Sequence, residues 1–545
     1  MKPRYNPPMR RPAWPAASIA ALFVLTGLPF LALAGLHYDA SSELACFYPC
    51  FIPTFKAKMF HHWEPVMIIQ YVGALKAWLY QPILKFLDPA PLVLRLPFLL
   101  AGAGSVWLFF AILDRVSGRR TAIAGALLLA TDASFLLATC YDFGPVVLLH
   151  LCLLAGMFLL LRFEDTRNSK RLAFAFFLFG LALWQKALFV WMLGGLAAAS
   201  AVVFPKRILA LVTWRRMALA AVCFCVGAYP LIYYNKVTKG ATFHTGNVME
   251  APQPLAQKLL VLRKTVDGSV LFDWLTEDSQ PETALAPRGA AANLSVDLTK
   301  ATGSLRSNWM LYALLAACLL TPWLWFTPAR RPAMFALVYL AVTWGLMALL
   351  PNTGATLHHI ILMWPIPHFL IAVAGVQLAE RFKRAGARAM AVALVALVGC
   401  NALVIVHYYA DLVTRGTTVL WTDAVYPLSR DLDALAGKRV VTVDWGYATT
   451  LCLLSKGKMP VEDISFKLLK PSAVDTAFIR SLIAKPDALF VDHTPGGAQF
   501  AGVRERLDRM ASEAGYVKTV IGTVKDRNGR PRFEISRYTE SRLAS

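Results

Sequence analysis

The sequence predicts a polytopic α-helical membrane protein of about 11 spans, closed by a small soluble α/β domain. Hydrophobic residues make up 57% of the 545 positions and charged residues only 16%. Mean hydropathy is +0.52, whereas soluble domains carry about 25% charged residues. Apolar runs recur at the roughly 20-residue length that crosses a bilayer core of about 30 Å. After about residue 411 the composition turns to that of a soluble domain.

The start, 1–15, is basic, and the apolar run 16–36 follows. That outline is shared with signal peptides, but the run is about 20 residues long and has no clear small-residue cleavage site. It reads as a retained first span with a cytoplasmic N-terminus. A loop at 37–91 follows. Its stretch 67–87 is apolar but broken by Gln70, Lys76, Pro82 and Lys85, and reads as one or two amphipathic helices lying in the interface. Spans 2 to 4 are expected at 94–113, 121–139 and 144–161. The run 172–204 is too long for one span and splits at Gln185-Lys186 into spans 5 and 6. Spans 7 to 11 are expected at 217–234, 309–326, 334–350, 357–378 and 389–409.

Charge tests this count. With the N-terminus inside, every even-numbered span must end in the cytoplasm. Basic clusters follow each of them: Arg115/Arg119/Arg120, Arg162/Arg167/Lys170/Arg171, Lys206/Arg207/Arg215/Arg216, Arg330/Arg331 and Arg381/Lys383/Arg384/Arg388. Basic short loops on one side are the positive-inside pattern. The result is a membrane domain at 1–411, with extracytoplasmic loops at 37–91 and 236–308, and an extracytoplasmic α/β domain at 412–545. In that domain 438–444 and 488–492 read as buried strands, and 503–515 as a helix. Segments 516–524 and 532–538 read as strands paired around Asn528-Gly529. It has no nucleotide-binding glycine motif.

The net charge of +22 does not indicate nucleic acid, because the basic residues gather at span ends, where they serve topology and lipid headgroups. The nine cysteines lie mostly alone in apolar runs. None has zinc spacing. Cys46 and Cys50 share the first loop, as a disulfide or as two free thiols.

Charged groups at span ends or membrane depth need a reason. Asp39 follows span 1, Asp142 joins spans 3 and 4, Lys186 interrupts spans 5 and 6, and His358 and His359 open span 10. Topology puts all of them at one interface, as a site assembled from several helices requires. Taken singly, each has a plainer reading. A span-end Asp is a solvated loop residue, Lys186 can snorkel, and the two histidines can be interfacial anchors. Asp132, inside span 3, can be a structural acid bonded to a neighbouring helix. Glu64 and Lys76 read as surface residues of the interfacial helices.

The acid Asp39 closes the first span and opens a long outer loop. Arg95-Leu96-Pro97 with Leu100-Ala101-Gly102, Thr131-Asp132-Ala133-Ser134-Phe135-Leu136-Leu137 with Tyr141-Asp142-Phe143-Gly144-Pro145, Gly180 to Lys186, and His358 to Pro367 follow in that order. Together these stretches resemble the GT-C superfamily of integral membrane glycosyltransferases, in the branch of protein O-mannosyltransferases and the lipid A aminoarabinose transferase. The likeness covers roughly 16–380. Ala40 stands where many members carry a second acid, and Trp63-Glu64-Pro65 where they have a basic residue or histidine before a proline.

The resemblance implies an inverting transferase at the outer face of a bacterial inner membrane. Its donor would be a sugar on a polyprenyl phosphate, and its acceptor a hydroxyl or phosphate of protein, lipid A or another envelope glycan. Inversion needs one carboxylate to take the acceptor's proton, and Asp39 is the candidate. The leaving phosphate needs positive charge, for which Lys186 leads, with Arg95 and His359 behind it. Asp142 would orient the acceptor, the sugar or loop 1. His358, Glu64 and Tyr141 complete the substrate-binding candidates. No cofactor is firmly implied. A divalent metal remains open, with Asp39, Glu43, Asp142 and His61 as oxygen-rich donors, although the mannosyltransferase branch resembles metal-independent enzymes. Membrane lipids are expected partners and nucleic acid is not. The competing function is a transporter or flippase of a lipid-linked sugar, which would show repeated halves and charges through the membrane depth; neither is evident. A non-catalytic envelope scaffold is the third reading.

Overall fold

The structure, a computed structural model, describes residues 14–50, 54–59, 61–243, 252–435 and 438–541. The basic start at 1–13 lies outside them. The first helix, α1 (Trp14–Gly27), tightens into a 3₁₀ turn at Leu28–Phe30. Loop 1 then folds as α2 (Tyr38–Ala45), β1 (Phe55–Met59), β2 (His62–Ile69), β3 (Val72–Gly73) and α3 (Leu75–Phe86). Its strands form an antiparallel sheet in the order β1-β2-β3. The expected interfacial helices are therefore half right. Residues 75–86 are helical, but 67–69 belong to a strand whose burial differs from that of a helix face.

The bundle continues as α4 (Pro91–Val116), α5 (Arg119–Ala130), α6 (Ala133–Cys140), α7 (Val147–Thr166), α8 (Ser169–Gln185), α9 (Phe189–Val203), α10 (Pro205–Leu211) and α11 (Trp214–Val237). The second outer segment carries α12 (Leu255–Val266) and α13 (Ala290–Ala301). After it come α14 (Met310–Leu319), α15 (Thr321–Leu324), α16 (Arg330–Leu349), α17 (Leu357–Ile360), α18 (Ile366–Arg381) and α19 (Lys383–Thr414).

Each of the 11 expected spans coincides with helix. Five described helices are long and apolar enough to cross a membrane unaided, and up to eight spans result if each bent pair counts as one. The α1 run and α14 are shorter apolar helices. The bends have local causes. Span 3 breaks by 57° between α5 and α6. There the Asp132 side chain caps α6, accepting from the Phe135 N–H at 2.7 Å. Its second oxygen accepts from Trp364 Nε1 at 3.1 Å and hydrogen-bonds His368 Nε2 at 3.0 Å. This buried acid is held by a neighbouring span, as a charge at this depth requires. Phe204 caps α9, Pro205 opens α10, and α10 turns away by 101°. Helices α8 and α11 touch through backbone: a Cβ on Gly180 would meet Phe224 O at 2.2 Å, so only glycine allows this approach.

The C-terminal domain follows α20 (Val425–Ala434). It comprises β4 (Arg439–Thr442), α21 (Ala448–Leu454), β5 (Val461–Asp463), α22 (Ser465–Leu469), α23 (Ala473–Ile483), β6 (Ala488–His493), α24 (Val503–Glu513), β7 (Tyr516–Lys525) and β8 (Pro531–Glu540). The sheet order is β5-β4-β6-β8-β7. Strand β4 runs parallel to β5 and β6, while β8 pairs antiparallel with β6 and β7. One apolar layer joins the sheet to α23 and α24 through Ile479, Leu482, Val503 and Leu507. The other joins it to α20 and α21 through Leu428, Leu432 and Leu451.

The domain sits on the loop 1 end of the bundle. A disulfide links Cys50 to Cys452, with the Cα atoms 6.2 Å apart, and Cys46 is a buried free thiol. The Cys46–Cys50 pairing left open by the sequence is thus replaced by a link between domains. Arg532 bonds Glu277 Oε2 at 3.1 Å and Asp526 at 2.8 Å, which ties β8 to the second outer segment.

Candidate active site

The candidate site lies where α2, α3 and the α6–α7 turn meet the C-terminal domain. Asp142 ends α6 in the left-handed conformation, φ +46°, which Asp tolerates better than most residues. Its backbone N–H donates to Thr139 O at 3.3 Å, and its carboxylate turns towards α3. There Lys76 Nζ contacts Asp142 Oδ2 directly and stands 4.0 Å from Glu43 Oε2. The ammonium also donates to Ala40 O at 3.4 Å and lies 4.9 Å from the Phe98 ring centre. Gln185 binds this group together: its Nε2 donates to Glu43 at 3.1 Å, and its Oε1 accepts the Lys76 N–H at 2.9 Å.

All three charged groups are buried. Burial pushes both carboxyls up, against the pull of Lys76, while the two acids hold the ammonium in its charged form despite burial. Asp142, in direct contact, keeps the charge more readily than Glu43. Glu43 Oε1 and Asp142 Oδ1 are buried with no protein hydrogen-bond partner. Such atoms are rare and need an account.

Lys186 comes from the other side. It ends α8, and its Nζ donates to Gly144 O at 2.6 Å. Gly144, at φ +69°, packs against His358, and a Cβ there would fall 2.2 Å from the His358 Cβ. The His358 ring meets Phe143 edge-on at 5.5 Å, and its Nδ1 has no protein partner. Asp39 occupies the first turn of α2, where the helix dipole favours a carboxylate. It is about a third exposed, and its charge reaches both Asp142 and Lys76. The Asp39 N–H donates to His37 Nδ1 at 3.2 Å, and the His37 ring stacks on Trp421 at 4.6 Å.

Asp39, Asp142, Lys186 and His358 thus share one region. The remaining sequence candidates do not face it in the same way. Arg95 donates to the carbonyls of Leu31, Ala34 and Gly35 at 2.6–2.8 Å. Its guanidinium holds the end of the first span. Tyr141 stacks under Arg95 and donates to Phe30 O at 3.0 Å. His359 Nδ1 accepts the Gly354 N–H at 3.1 Å, which holds the turn before α17. Glu64 lies partly exposed in the hairpin, opposite Ala57.

The metal set is not assembled. Lys76 already occupies the space between the Glu43 and Asp142 carboxyls, and His61 is at an exposed turn. Among the described residues no group of three or more His, Cys, Asp or Glu could hold a metal.

Lys76 departs most from the sequence expectation: the stretch reads as carrying a surface lysine, yet the side chain is 1% exposed. Its signal was a lone cation in the otherwise apolar stretch Ala74-Leu75-Lys76-Ala77-Trp78-Leu79. Trp421 and the contacts that the C-terminal domain makes with α2 are further features with no signal in the sequence. Trp445 stacks near Tyr38 at 4.8 Å, and Ser41 Oγ bonds Thr449 and Thr450 at 2.9 Å each.

The fold of the whole chain is that of a known group of membrane proteins. The chain superposes on the apo crystal structure of ArnT from Cupriavidus metallidurans with a TM-score of 0.59 at 13% identity, covering 96% of this chain and 97% of that one. For the same protein bound to undecaprenyl phosphate the values are 0.55, 12%, 96% and 97%. An Archaeoglobus fulgidus oligosaccharyltransferase in the apo form gives 0.50 at 12% identity, covering 94% of this chain and 74% of that one. Residues 73–234 match the family model described as dolichyl-phosphate-mannose-protein mannosyltransferase. A comparison with curated proteins finds no match.

Proposed function

We propose that the protein is an inverting glycosyltransferase. It moves a sugar from a polyprenyl-phosphate donor to a hydroxyl or phosphate of an envelope acceptor, at the outer face of the inner membrane. The observation that carries this is the joint placement of a partly exposed carboxylate, Asp39, with Lys186, Lys76, Asp142 and His358 at one end of a GT-C bundle. Undecaprenyl phosphate bound to a structural neighbour supports a lipid-phosphate donor.

In this reading Asp39 takes the acceptor's proton as its oxygen attacks the anomeric carbon. The bond from that carbon to the phosphate oxygen breaks in the same displacement, and the polyprenyl phosphate leaves with the bonding pair. Lys186 meets the developing negative charge in a site screened from water, where such charges act strongly. Asp142 fixes Lys76. Trp445 and the Thr449-Thr450 pair border α2 from the C-terminal domain, so acceptor choice falls to that domain.

Asp39→Asn tests the assignment. Transfer should fall by about 10²–10⁴-fold, the usual contribution of a general base, with binding of the lipid phosphate retained. Mass analysis of envelope glycans from cells with and without the protein would name the acceptor. Cells carrying Asp39→Asn should match those without it. Survival of transfer in Asp39→Asn would overturn the base assignment.

A further inference from the structure

Three helices link the candidate site to a second feature. Helix α7 starts beside Asp142, α8 ends at Lys186 and α9 starts just after it. From about mid-helix to their opposite ends, α7, α8 and α9 line a groove of about 1090 Å³. At about 1.5 Å per residue, that places its arginine rim roughly 20–30 Å from the site, at the other face of the bundle, while its apolar depth reaches back to mid-bundle.

The groove is two-toned. Its depth is apolar, walled by Phe109, Leu154, Met157, Phe176, Leu196 and Phe369. Its rim carries Arg115, Arg167, Arg207, Arg216 and Arg331, brought by separate segments of the chain. Only two acids join them, Glu164 and Asp165. Asp165 pairs with Arg115, and Glu164 stands 3.7 Å from Arg207. Three positive charges remain in excess. The 101° turn into α10 swings Ile208 and Leu211 round to close one side.

Topology alone explains basic residues at this face. It does not require five arginines to converge on the rim of a single apolar groove. We propose that this groove is a binding site for one anionic glycerophospholipid of the cytoplasmic leaflet. An acyl chain would lie along Leu154 and Met157, and the phosphate would sit among Arg167, Arg216 and Arg331. The chemistry is that of basic pockets between transmembrane helices, which take anionic headgroups. The phosphate end lies at the face opposite Asp39 and Lys186, so this lipid is distinct from the donor. The proposal does not depend on the transfer reaction.

The test uses the full chain in phosphatidylcholine nanodiscs, titrated with phosphatidylglycerol and read by native mass spectrometry. One phosphatidylglycerol should be retained where phosphatidylcholine is released. Arg216→Gln/Arg331→Gln should weaken retention by about thirtyfold, from the usual contribution of a basic residue at a membrane surface. Met157→Trp fills the groove without touching a charge and should also weaken it. Glu164→Gln removes an acid from the rim and should tighten retention by about fivefold, an outcome that misfolding cannot imitate. Equal retention of the two lipids, no tightening in Glu164→Gln, or displacement by millimolar inorganic phosphate would each overturn the proposal.

Discussion

Replacing Lys76 by methionine keeps the side-chain stem and removes the ammonium. In the folded protein that ammonium faces Asp142 directly and Glu43 at 4.0 Å, with 1%, 4% and 2% of the three side chains exposed. Solvent therefore screens little of the interaction. Breaking a buried pair from one side costs about 3–5 kcal/mol, because the partner is left as an uncompensated charge. Proton uptake limits the loss. Burial already pushes the Asp142 carboxyl up, with Lys76 opposing it, so losing Lys76 raises the folded value further. An acid whose folded pKa exceeds its unfolded one destabilises the fold as pH rises above the unfolded value of about 3.9. The deficit of Lys76→Met should thus be largest at about pH 8 and shrink towards about pH 5. Lys76→Met/Asp142→Asn removes the stranded charge and should recover at least half of it, since contacting pairs couple by about 0.5–3 kcal/mol. Thermal melting of the purified variants in one detergent across that range measures all of this. The reasoning fails if Lys76→Met melts like the wild type at the alkaline end, or if the double variant melts no higher than the single one.

Gly144→Ala meets both a left-handed backbone and the His358 Cβ. A strain of about 1–3 kcal/mol should lower the melting temperature and displace His358, with transfer reduced more than lipid-phosphate binding. Cys50→Ser removes the link to Cys452. It should cost about 2 kcal/mol, the low end for disulfides, because Ser41, Thr449 and Thr450 still join the same elements; reductant should then lower the melting temperature of the wild type but not of the variant. Glu277 and Asp278 have depressed carboxyl pKa values. Burial works upward on both, but Ser279 and Arg532 outweigh it for Glu277, as Arg306 and Arg415 do for Asp278. The stability they contribute is present above the unfolded values of about 4 and lost as pH falls through the lower folded ones. Melting temperature should therefore drop below about pH 4, and Glu277→Gln should show a shallower acid dependence.

The spans were legible because apolar length and basic flanks are local properties, and they act on the chain whatever its neighbours do. The C-terminal strands were legible for a similar reason, as buried parallel strands read as continuous apolar runs. The hairpin of loop 1 was missed although Phe55-Lys56-Ala57-Lys58-Met59 alternates with a period of two; the longer apolar stretch beside it outweighed that signal. Asp39, Asp142, Lys186 and His358 stood out as charges at span ends. Arg95 entered only through the resemblance of Arg95-Leu96-Pro97, and no feature of the sequence separates a guanidinium that serves three carbonyls from one that faces a ligand. Lys76 and Cys452 owe their roles to contacts across 66 and 402 positions of chain. Local pattern carries no information on such pairings.

The Cys50–Cys452 link gives the molecule an unusual connectivity. It closes a covalent ring that contains every span after the first, together with the whole second outer segment. One proteolytic cut anywhere between those two cysteines opens the ring without dividing the protein. A chain nicked within 252–308 should therefore run as a single species on a denaturing gel without reductant and as two fragments with it. Backbone damage in that exposed region would leave the halves tethered at the wall of the site.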